Sequence, residues 1–285
     1  SPLSWPELIR NIIVIATGSM ILVWIGELIS EKKIGNGVSL IIFAGIVSGL
    51  PTAVRAAIIG YNPQTLPTYI AFIVLGIIII AGVVFVNQGE RKIPVTYAKR
   101  VRGNKMYGGA STYLPLRVNQ AGVIPIIFAI SILLFPQFFA QIISVVSPDI
   151  SLRLNELVVN ILNNQLIYGV LYFVLVFIFT YFYTAVTFDP AEIAKNLQRS
   201  GGFVPGIRPG ESTAEFFAKA TNRITLFGAI FLGLVAVLPI ATQALTGIAT
   251  LTIGGTALLI VVSVVLETIK QLDAQLVMRE YEGLE

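Results

Sequence analysis

The chain has 285 residues, of which 55% are hydrophobic and 12% are charged, and its formal net charge is +4. It contains no Cys and no His, which excludes a disulfide framework, Cys/His metal centres and catalysis by Ser-His-Asp or Cys-His groups. No glycine-rich phosphate-binding motif is present either. We therefore predict a membrane protein that is not an enzyme, with no catalytic residue, no metal site and no cofactor.

Seven apolar stretches are long enough to cross a bilayer core of about 30 Å, which takes roughly 20 helical residues. They predict an all-α polytopic membrane protein with spans at Leu8–Leu28, Ile34–Val54, Leu66–Val86, Ala121–Val146, Leu166–Val186, Ile224–Ile240 and Leu251–Leu272. The last two spans come from one uncharged run, which the Thr/Gly-rich stretch Ala241–Gly255 can reverse. The predicted division is three spans in residues 1–86, a basic arm in 87–120, two spans in 121–186, a second polar loop in 187–223, two spans in 224–272 and a tail in 273–285.

The basic residues fix the predicted orientation. All Lys and Arg residues except Arg10, Arg55 and Arg153 lie on one set of alternate loops. Because cytoplasmic loops carry the excess of Lys and Arg, this face is predicted to be cytoplasmic, and so is the C-terminal tail. Seven spans then place Ser1 outside, and an odd number of earlier spans is needed if the intact protein starts in the cytoplasm. We therefore expect the chain to be a fragment. The opposite loops, 51–65 and 147–165, read as short or modestly polar connections.

The first large basic loop, 87–120, predicts a β-hairpin arm. Ile93, Val95 and Tyr97 alternate with other residues, the pattern breaks at residues 102–105, and a second extended run follows at 111–118. Alternation around a Gly-Asn turn is typical of a hairpin, although Pro115 is unusual within a strand.

The second large basic loop, 187–223, predicts two short helices separated by a rigid tip. Asp189 is placed to cap a helix that starts at Pro190 and ends near Ser200. Residues 212–215 have the spacing of a capping box, which would open another helix toward Arg223. Two Pro-Gly pairs lie between the helices and predict a double turn with Arg208 at its tip.

Two explanations of these basic loops remain open from the residues alone. The positive-inside rule and contact with anionic lipid account for them in part, while the excess in residues 87–120 also fits docking of a large anionic partner. No charged side chain lies near a predicted midplane, which argues against an ion-coupled transporter. The carboxylates near span ends, Glu27, Asp189 and Glu267, are most simply solvated at the interface.

Five segments carry a resemblance to a known family. The chain resembles SecY, the pore-forming subunit of the bacterial protein-translocation channel, along essentially its whole length. The motifs are Gly35-Asn36-Gly37, Tyr97-Ala98-Lys99-Arg100, Leu114-Pro115-Leu116-Arg117-Val118-Asn119, Ala121-Gly122-Val123-Ile124-Pro125 and, most specifically, Gly202-Phe203-Val204-Pro205-Gly206-Ile207-Arg208-Pro209-Gly210. The resemblance implies a ten-helix fold of which this chain supplies helices four to ten and lacks the first three.

The resemblance also implies roles for residues that nothing else in the sequence distinguishes. It places Val38, where isoleucine is more usual in the family, together with Ile42, Ile127 and Ile260 in an aliphatic pore ring. It places Ser131 and Phe135 at a lateral gate. It places the docking of a motor protein or a ribosome at Lys99, Arg100, Arg102, Lys105 and Arg208. The implied partners are SecE, SecG, the motor ATPase SecA, the ribosome, the translocating polypeptide and membrane lipids, in the bacterial inner membrane.

The function implied is a passive pore that passes unfolded secretory proteins and releases membrane segments laterally. Two alternatives from other classes stay open at this point. A small-solute secondary transporter would need inverted repeats and polar groups at the midplane, and neither is evident. A membrane scaffold would use the basic loops only to recruit partners.

Overall fold

The computed structural model describes residues 4–59, 66–97, 100–102, 105–107, 111–146, 148–246 and 255–282. Its elements in chain order are α1 (Trp5–Glu31), α2 (Gly37–Ile59), α3 (Leu66–Gln88), β1 (Glu90–Tyr97), β2 (Arg100–Arg102), β3 (Lys105–Tyr107), β4 (Ser111–Arg117), α4 (Ile124–Val146), α5 (Pro148–Asn163), α6 (Gln165–Thr187), α7 (Pro190–Arg199), β5 (Gly202–Phe203), α8 (Glu211–Thr246) and α9 (Gly255–Glu282). The chain divides into two compact units, Ser1–Ala71 with Ala257–Glu285, and Phe72–Thr256.

Most of the predicted membrane spans are present as helices. Six segments of the described chain are long and apolar enough to cross a membrane: Trp5–Glu31, Gly37–Ala56, Tyr69–Gln88, Ile124–Ile143, Gln165–Arg199 and Glu211–Ala244. The fifth of these contains both α6 and the short helix α7. The six segments correspond to the first six predicted spans and confirm a mostly helical, multi-pass membrane protein. The seventh span stays a prediction, because α9 begins at Gly255 and residues 251–254 lie outside the described residues. The reversal predicted between the last two spans also falls largely outside them.

Close helix packing in the second unit depends on small residues. A Cβ atom at Gly233 of α8 would lie 2.7 Å from the ring of Phe173 on α6. At Gly169 of α6, a Cβ atom would meet Val237 of α8 at 3.4 Å. Small residues let membrane helices approach each other, and van der Waals packing then replaces the hydrophobic driving force that is missing in lipid. The pair α6 and α8 therefore forms the packed centre of this unit.

The basic loops fold largely as predicted. β1 and β4 form the antiparallel hairpin, with Ile93 opposite Leu114, and the short strands β2 and β3 pair beyond its far end. Asp189 caps α7, since its Oδ1 accepts hydrogen bonds from the backbone N–H groups of Ala191 at 2.8 Å and Glu192 at 3.3 Å. This arrangement confirms the predicted N-cap.

Two features of the sequence interpretation are wrong. The predicted helix ending at Arg223 and the span beginning at Ile224 are one continuous helix, α8, because no proline or glycine separates them. The capping box at residues 212–215 is not formed: Gly210 O accepts the first backbone hydrogen bonds of α8, and the Thr213 hydroxyl donates to Arg208 O at 2.8 Å.

The loops opposite the basic face also differ from expectation. Helix α2 continues through Pro51 to Ile59, so the first half of the predicted 51–65 connection is helical. Residues 147–165, interpreted as a polar connection, contain the amphipathic helix α5, which packs against α4 and α6. The apolar residues of α5 recur at helical spacing among polar ones, and this pattern was the missed signal.

Candidate docking surface and candidate pore residues

A three-stranded sheet joins the two basic loops. The strand order is β4-β1-β5, and β5 adds to β1 with Thr96 opposite Phe203 and Tyr97 opposite Gly202. The arm formed by β1 to β4 and the loop formed by α7, β5 and the start of α8 therefore share backbone hydrogen bonding. We call this combined surface unit, residues 90–117 and 190–223, the basic platform.

A small apolar core joins the two loops of the basic platform. Its buried members come from both loops: Ile93, Leu116, Ala194, Val204, Phe217 and Ala220. Phe217 is completely buried, although it lies only one turn or so from exposed polar residues of α8. Burying a phenylalanine side chain contributes about 1.5–3 kcal/mol relative to leaving it exposed, so this contact holds the arm against the second loop.

Two consecutive Pro-Gly turns form the tip of the second loop. The backbone N–H of Ile207 donates to Val204 O at 3.1 Å, which closes a turn over Pro205 and Gly206. Gly206 has φ +83° and Gly210 has φ +102°, conformations that L side chains rarely adopt. Arg208 lies between the two turns with an exposed side chain, while its carbonyl accepts from Thr213. The tip is thus a fixed loop that presents one guanidinium to solvent.

The electrostatics of the basic platform are dominated by exposed cations. Four carboxylates in these ranges offset part of this charge, and two of them form ion pairs: Glu90 lies 3.6 Å from Lys92, and Glu215 lies 2.7 Å from Lys219. Arg208 takes part in neither pair. The twelve Lys and Arg residues in these ranges outnumber the four carboxylates, so the net charge of the basic platform is positive.

The remaining predicted docking residues lie on the small hairpin β2–β3. In its backbone register Arg102 is opposite Lys105, and Arg100 is opposite Tyr107. Lys99 lies outside the described residues, and the side chains of the other three cations are not described. The backbone nevertheless places them beyond the end of the β1–β4 hairpin that is remote from α3 and α4.

The candidate pore residues fall in both units. Val38 and Ile42 lie one turn apart on α2, and Ile260 lies on α9, all in the first unit. Ile260 is 8% exposed and Val38 is 47% exposed, so they do not share one environment.

A close contact between Gly26, Ser30 and Gly37, which we call the clasp, fixes the start of α2 against α1. Ser30 Oγ donates to Gly26 O at 3.0 Å and accepts from the backbone N–H of Gly37 at 2.9 Å. A Cβ atom at Gly37 would lie 1.8 Å from Gly26 O, so only glycine fits there. Gly26 and Ser30 were missed by the sequence interpretation, although small residues four apart in an apolar helix are a known packing signal.

The turn between α1 and α2 also contacts α9 within the first unit. A Cβ atom at Gly35 would lie 3.2 Å from Thr268 Oγ1, and Gln275 Nε2 donates to Lys33 O. The two glycines of the Gly35-Asn36-Gly37 motif are therefore explained by close contacts, since Gly37 packs against α1 and Gly35 packs against α9. These contacts fix the start of α2, where Val38 lies, against the helix that carries Ile260.

In the second unit, α4 carries Ile127, Ser131 and Phe135 on one face, because they are spaced four residues apart. The Ser131 hydroxyl donates to Ile127 O at 2.8 Å, and the exposed ring of Phe135 meets Phe139 edge-on with centroids 4.6 Å apart. Ile127 is half-buried, whereas Ser131 and Phe135 are exposed. The structure thus brings the candidate ring residue and the two candidate gate residues of this helix onto a common strip.

Comparisons with known proteins all find similarity to SecY proteins. A model of the SecY family matches residues 6–269. Protein translocase subunit SecY of Corynebacterium glutamicum is 46% identical over 98% of this chain and 64% of its own length. The subunit of the same name from Thermotoga maritima is 45% identical over 93% of this chain and 59% of its own length. The chain therefore spans about three fifths of the curated relatives it matches.

Two solved structures share the fold. One, described as the structure of a protein conducting channel, aligns with a TM-score of 0.61 at 21% identity, over 95% of this chain and 66% of its own. The other concerns the plug domain of the SecY protein and its role in the closed state of the translocation channel. It aligns with a TM-score of 0.58 at 20% identity and covers 95% of this chain and 67% of its own.

Proposed function

Because the chain belongs to the SecY family, we propose that it forms most of the wall of a protein-conducting channel, through which unfolded secretory polypeptide crosses the membrane and from which apolar segments leave laterally. The observation that carries this proposal is identity of about 45% to translocase subunits along more than nine tenths of the chain. These relatives favour a translocase over the solute transporter that the sequence alone left open.

The physics of transport fits the residues proposed for the ring. A polypeptide that crossed bare lipid would expose unpaired backbone groups at a cost of several kcal/mol each, and a channel removes that cost. Branched aliphatic side chains at Val38, Ile42, Ile127 and Ile260 would form a constriction that resists wetting but yields to an inserted chain. Ser131 and Phe135 would then border the lateral exit, on the strip of α4 that also carries Ile127.

The basic platform is the proposed docking surface. Its exposed cations and the fixed tip at Arg208 suit an anionic partner, and we propose the motor ATPase SecA or ribosomal RNA. SecE and SecG are the proposed partner subunits. The proposed location is the bacterial inner membrane with the basic platform and the C-terminus in the cytoplasm, since the basic loops then obey the positive-inside rule. The chain itself performs no catalysis in this account, so the driving energy comes from the bound partner.

A polar substitution in the ring tests this function. Ile127→Asn and Ile260→Asn should each increase the resting ion leak of the reconstituted translocon several-fold, because an amide side chain favours water in the constriction. Single-channel recording in planar bilayers measures the leak directly.

The matched control for this test is Ile132→Asn, which makes the same change on another face of α4, at a residue that is 45% exposed. It should leave the leak unchanged. If the ring variants, the control and the unmodified protein had equal ion leaks, the assignment of Ile127 and Ile260 to the ring would be contradicted.

A further inference from the structure

A short connection joins the arm formed by β1 to β4 to the helix that carries the candidate ring residue Ile127. Strand β4 ends at Arg117 and α4 begins at Ile124. We call the residues between them, 118–123, the junction. They belong largely to two of the motifs that carry the family resemblance, but neither the candidate ring nor the basic platform includes them.

Hydrogen bonds tie the junction to the end of α3. The backbone N–H of Val118 donates to Gly89 O at 2.9 Å, which extends the base of the arm. Asn119 Nδ2 donates to Asn87 Oδ1 at 2.7 Å and to Gly122 O at 3.3 Å. The Asn119 amide therefore fixes the junction to α3 and closes a turn within the junction at the same time.

The junction is also in close contact with α8. Gly228 of α8 is buried, and a Cβ atom there would lie 2.6 Å from Val118 O. Any residue larger than glycine would therefore have to displace the backbone of the junction. Because protein interiors are close-packed, such a displacement is passed on to neighbouring groups rather than absorbed in empty space.

The junction determines where α4 begins. Val123 O accepts hydrogen bonds from the backbone N–H groups of Ile126 at 3.1 Å and Ile127 at 3.4 Å. Ile126 is completely buried and Val123 is nearly so. Ile127 is thus bonded to the last residue of the junction, next to the Gly122 carbonyl that accepts from Asn119. A shift of the junction would move Ile127 with it.

The amide of Asn119 is not the choice that stability alone would favour. Its Oδ1 is buried and, within the described part of the chain, accepts no hydrogen bond. A buried acceptor without a partner is unfavourable, and departures of this kind are expected at functional sites. The junction therefore uses the Nδ2 donor of Asn119, and the unpaired oxygen accompanies it.

We propose that Asn119 and Gly228 are positioning residues, which hold the start of α4 against α3 and α8 and so place Ile127 in the constriction. The proposal rests on the function proposed above, because it takes Ile127 as part of the ring. Neither residue contacts the translocating polypeptide in this account.

The test is single-channel recording of the resting ion leak of the intact protein in the reconstituted translocon, with Tm measured on the same preparations. Asn119→Ala removes both hydrogen bonds of the Nδ2 group, and Gly228→Ala displaces Val118 O. Each should raise the leak at least about twofold, because a shifted Ile127 leaves a gap in the constriction that admits water. Ile127→Asn is the positive reference.

The control for a loss of stability alone is Gly233→Ala. Gly233 also lies on α8, but a Cβ atom there would meet the Phe173 ring of α6 at 2.7 Å rather than the junction. It should leave the leak unchanged, whatever its effect on Tm. The proposal is overturned if Ile127→Asn raises the leak while Asn119→Ala and Gly228→Ala do not.

It is equally overturned if Gly233→Ala raises the leak as much as the two junction variants do, since any loosening of the helices would then suffice. If Ile127→Asn itself leaves the leak unchanged, the assignment of Ile127 to the ring fails, and the positioning role fails with it.

Discussion

Replacing Gly37 with alanine should prevent the α1–α2 hairpin from forming. The added Cβ atom would lie 1.8 Å from Gly26 O and 2.6 Å from its carbonyl carbon, and both are backbone atoms that cannot rotate away. The helices would have to separate, which breaks the hydrogen bond that the Gly37 backbone N–H donates to Ser30 Oγ. We expect a loss of more than about 4 kcal/mol, in the range that only severe core disruption reaches. The yield of monodisperse protein and its Tm in detergent measure this effect.

The same helix provides a matched control. Gly45 also lies within α2, but a Cβ atom there would meet nothing within 4 Å. Gly45→Ala should leave stability unchanged or raise it by up to about 1 kcal/mol, because alanine is the better helix former. If Gly37→Ala and Gly45→Ala gave proteins of equal yield and Tm, the clasp would not determine the position of α2.

Reversing the charge of Arg208 should disable partner docking without unfolding the chain. The side chain is exposed and is held by two rigid turns, so Arg208→Glu removes no packing. A charge reversal at an interface costs at least about 2 kcal/mol, or roughly 30-fold in affinity. Motor-driven export into inverted membrane vesicles should fall accordingly at limiting motor concentration and recover partly at high concentration.

Arg153→Glu is the control for this prediction, since it makes the same charge change at an exposed residue of α5, in a loop that alternates with the basic ones. It should leave export unaltered. Normal export by the Arg208→Glu protein at limiting motor concentration would remove the docking role from the tip.

Local patterns predicted the parts of the fold that are determined locally. The alternation at Ile93, Val95 and Tyr97 is sufficient to indicate a strand that buries one face, and the structure buries Ile93 and Val95 accordingly. The Asp189-Pro190 pair fixes the start of α7 through hydrogen bonds within three residues. The apolar spans can also be predicted from local sequence, because a helix that crosses the bilayer requires only a sufficiently long apolar stretch.

Features that depend on distant contacts escaped the sequence interpretation. The two-residue strand β5 has no periodicity of its own and exists because β1 offers an edge at Thr96 and Tyr97. The change from polar to apolar composition at Ile224 predicts a boundary, whereas α8 continues through it, because a helix can cross the membrane surface without interruption. The candidate pore ring rests only on family resemblance, because its aliphatic residues have the same local pattern as many other apolar residues of the helices.

The most direct test of the account is site-specific photocrosslinking in the intact protein while a secretory precursor is stalled midway through export. One photoreactive residue replaces Ile127, and a second variant carries it at Phe72 of α3, which we place outside the pore. We expect adducts between precursor and position 127 and none at position 72. Equal labelling at both positions, or none at position 127 during verified stalling, would contradict the claim that polypeptide passes along this face of α4.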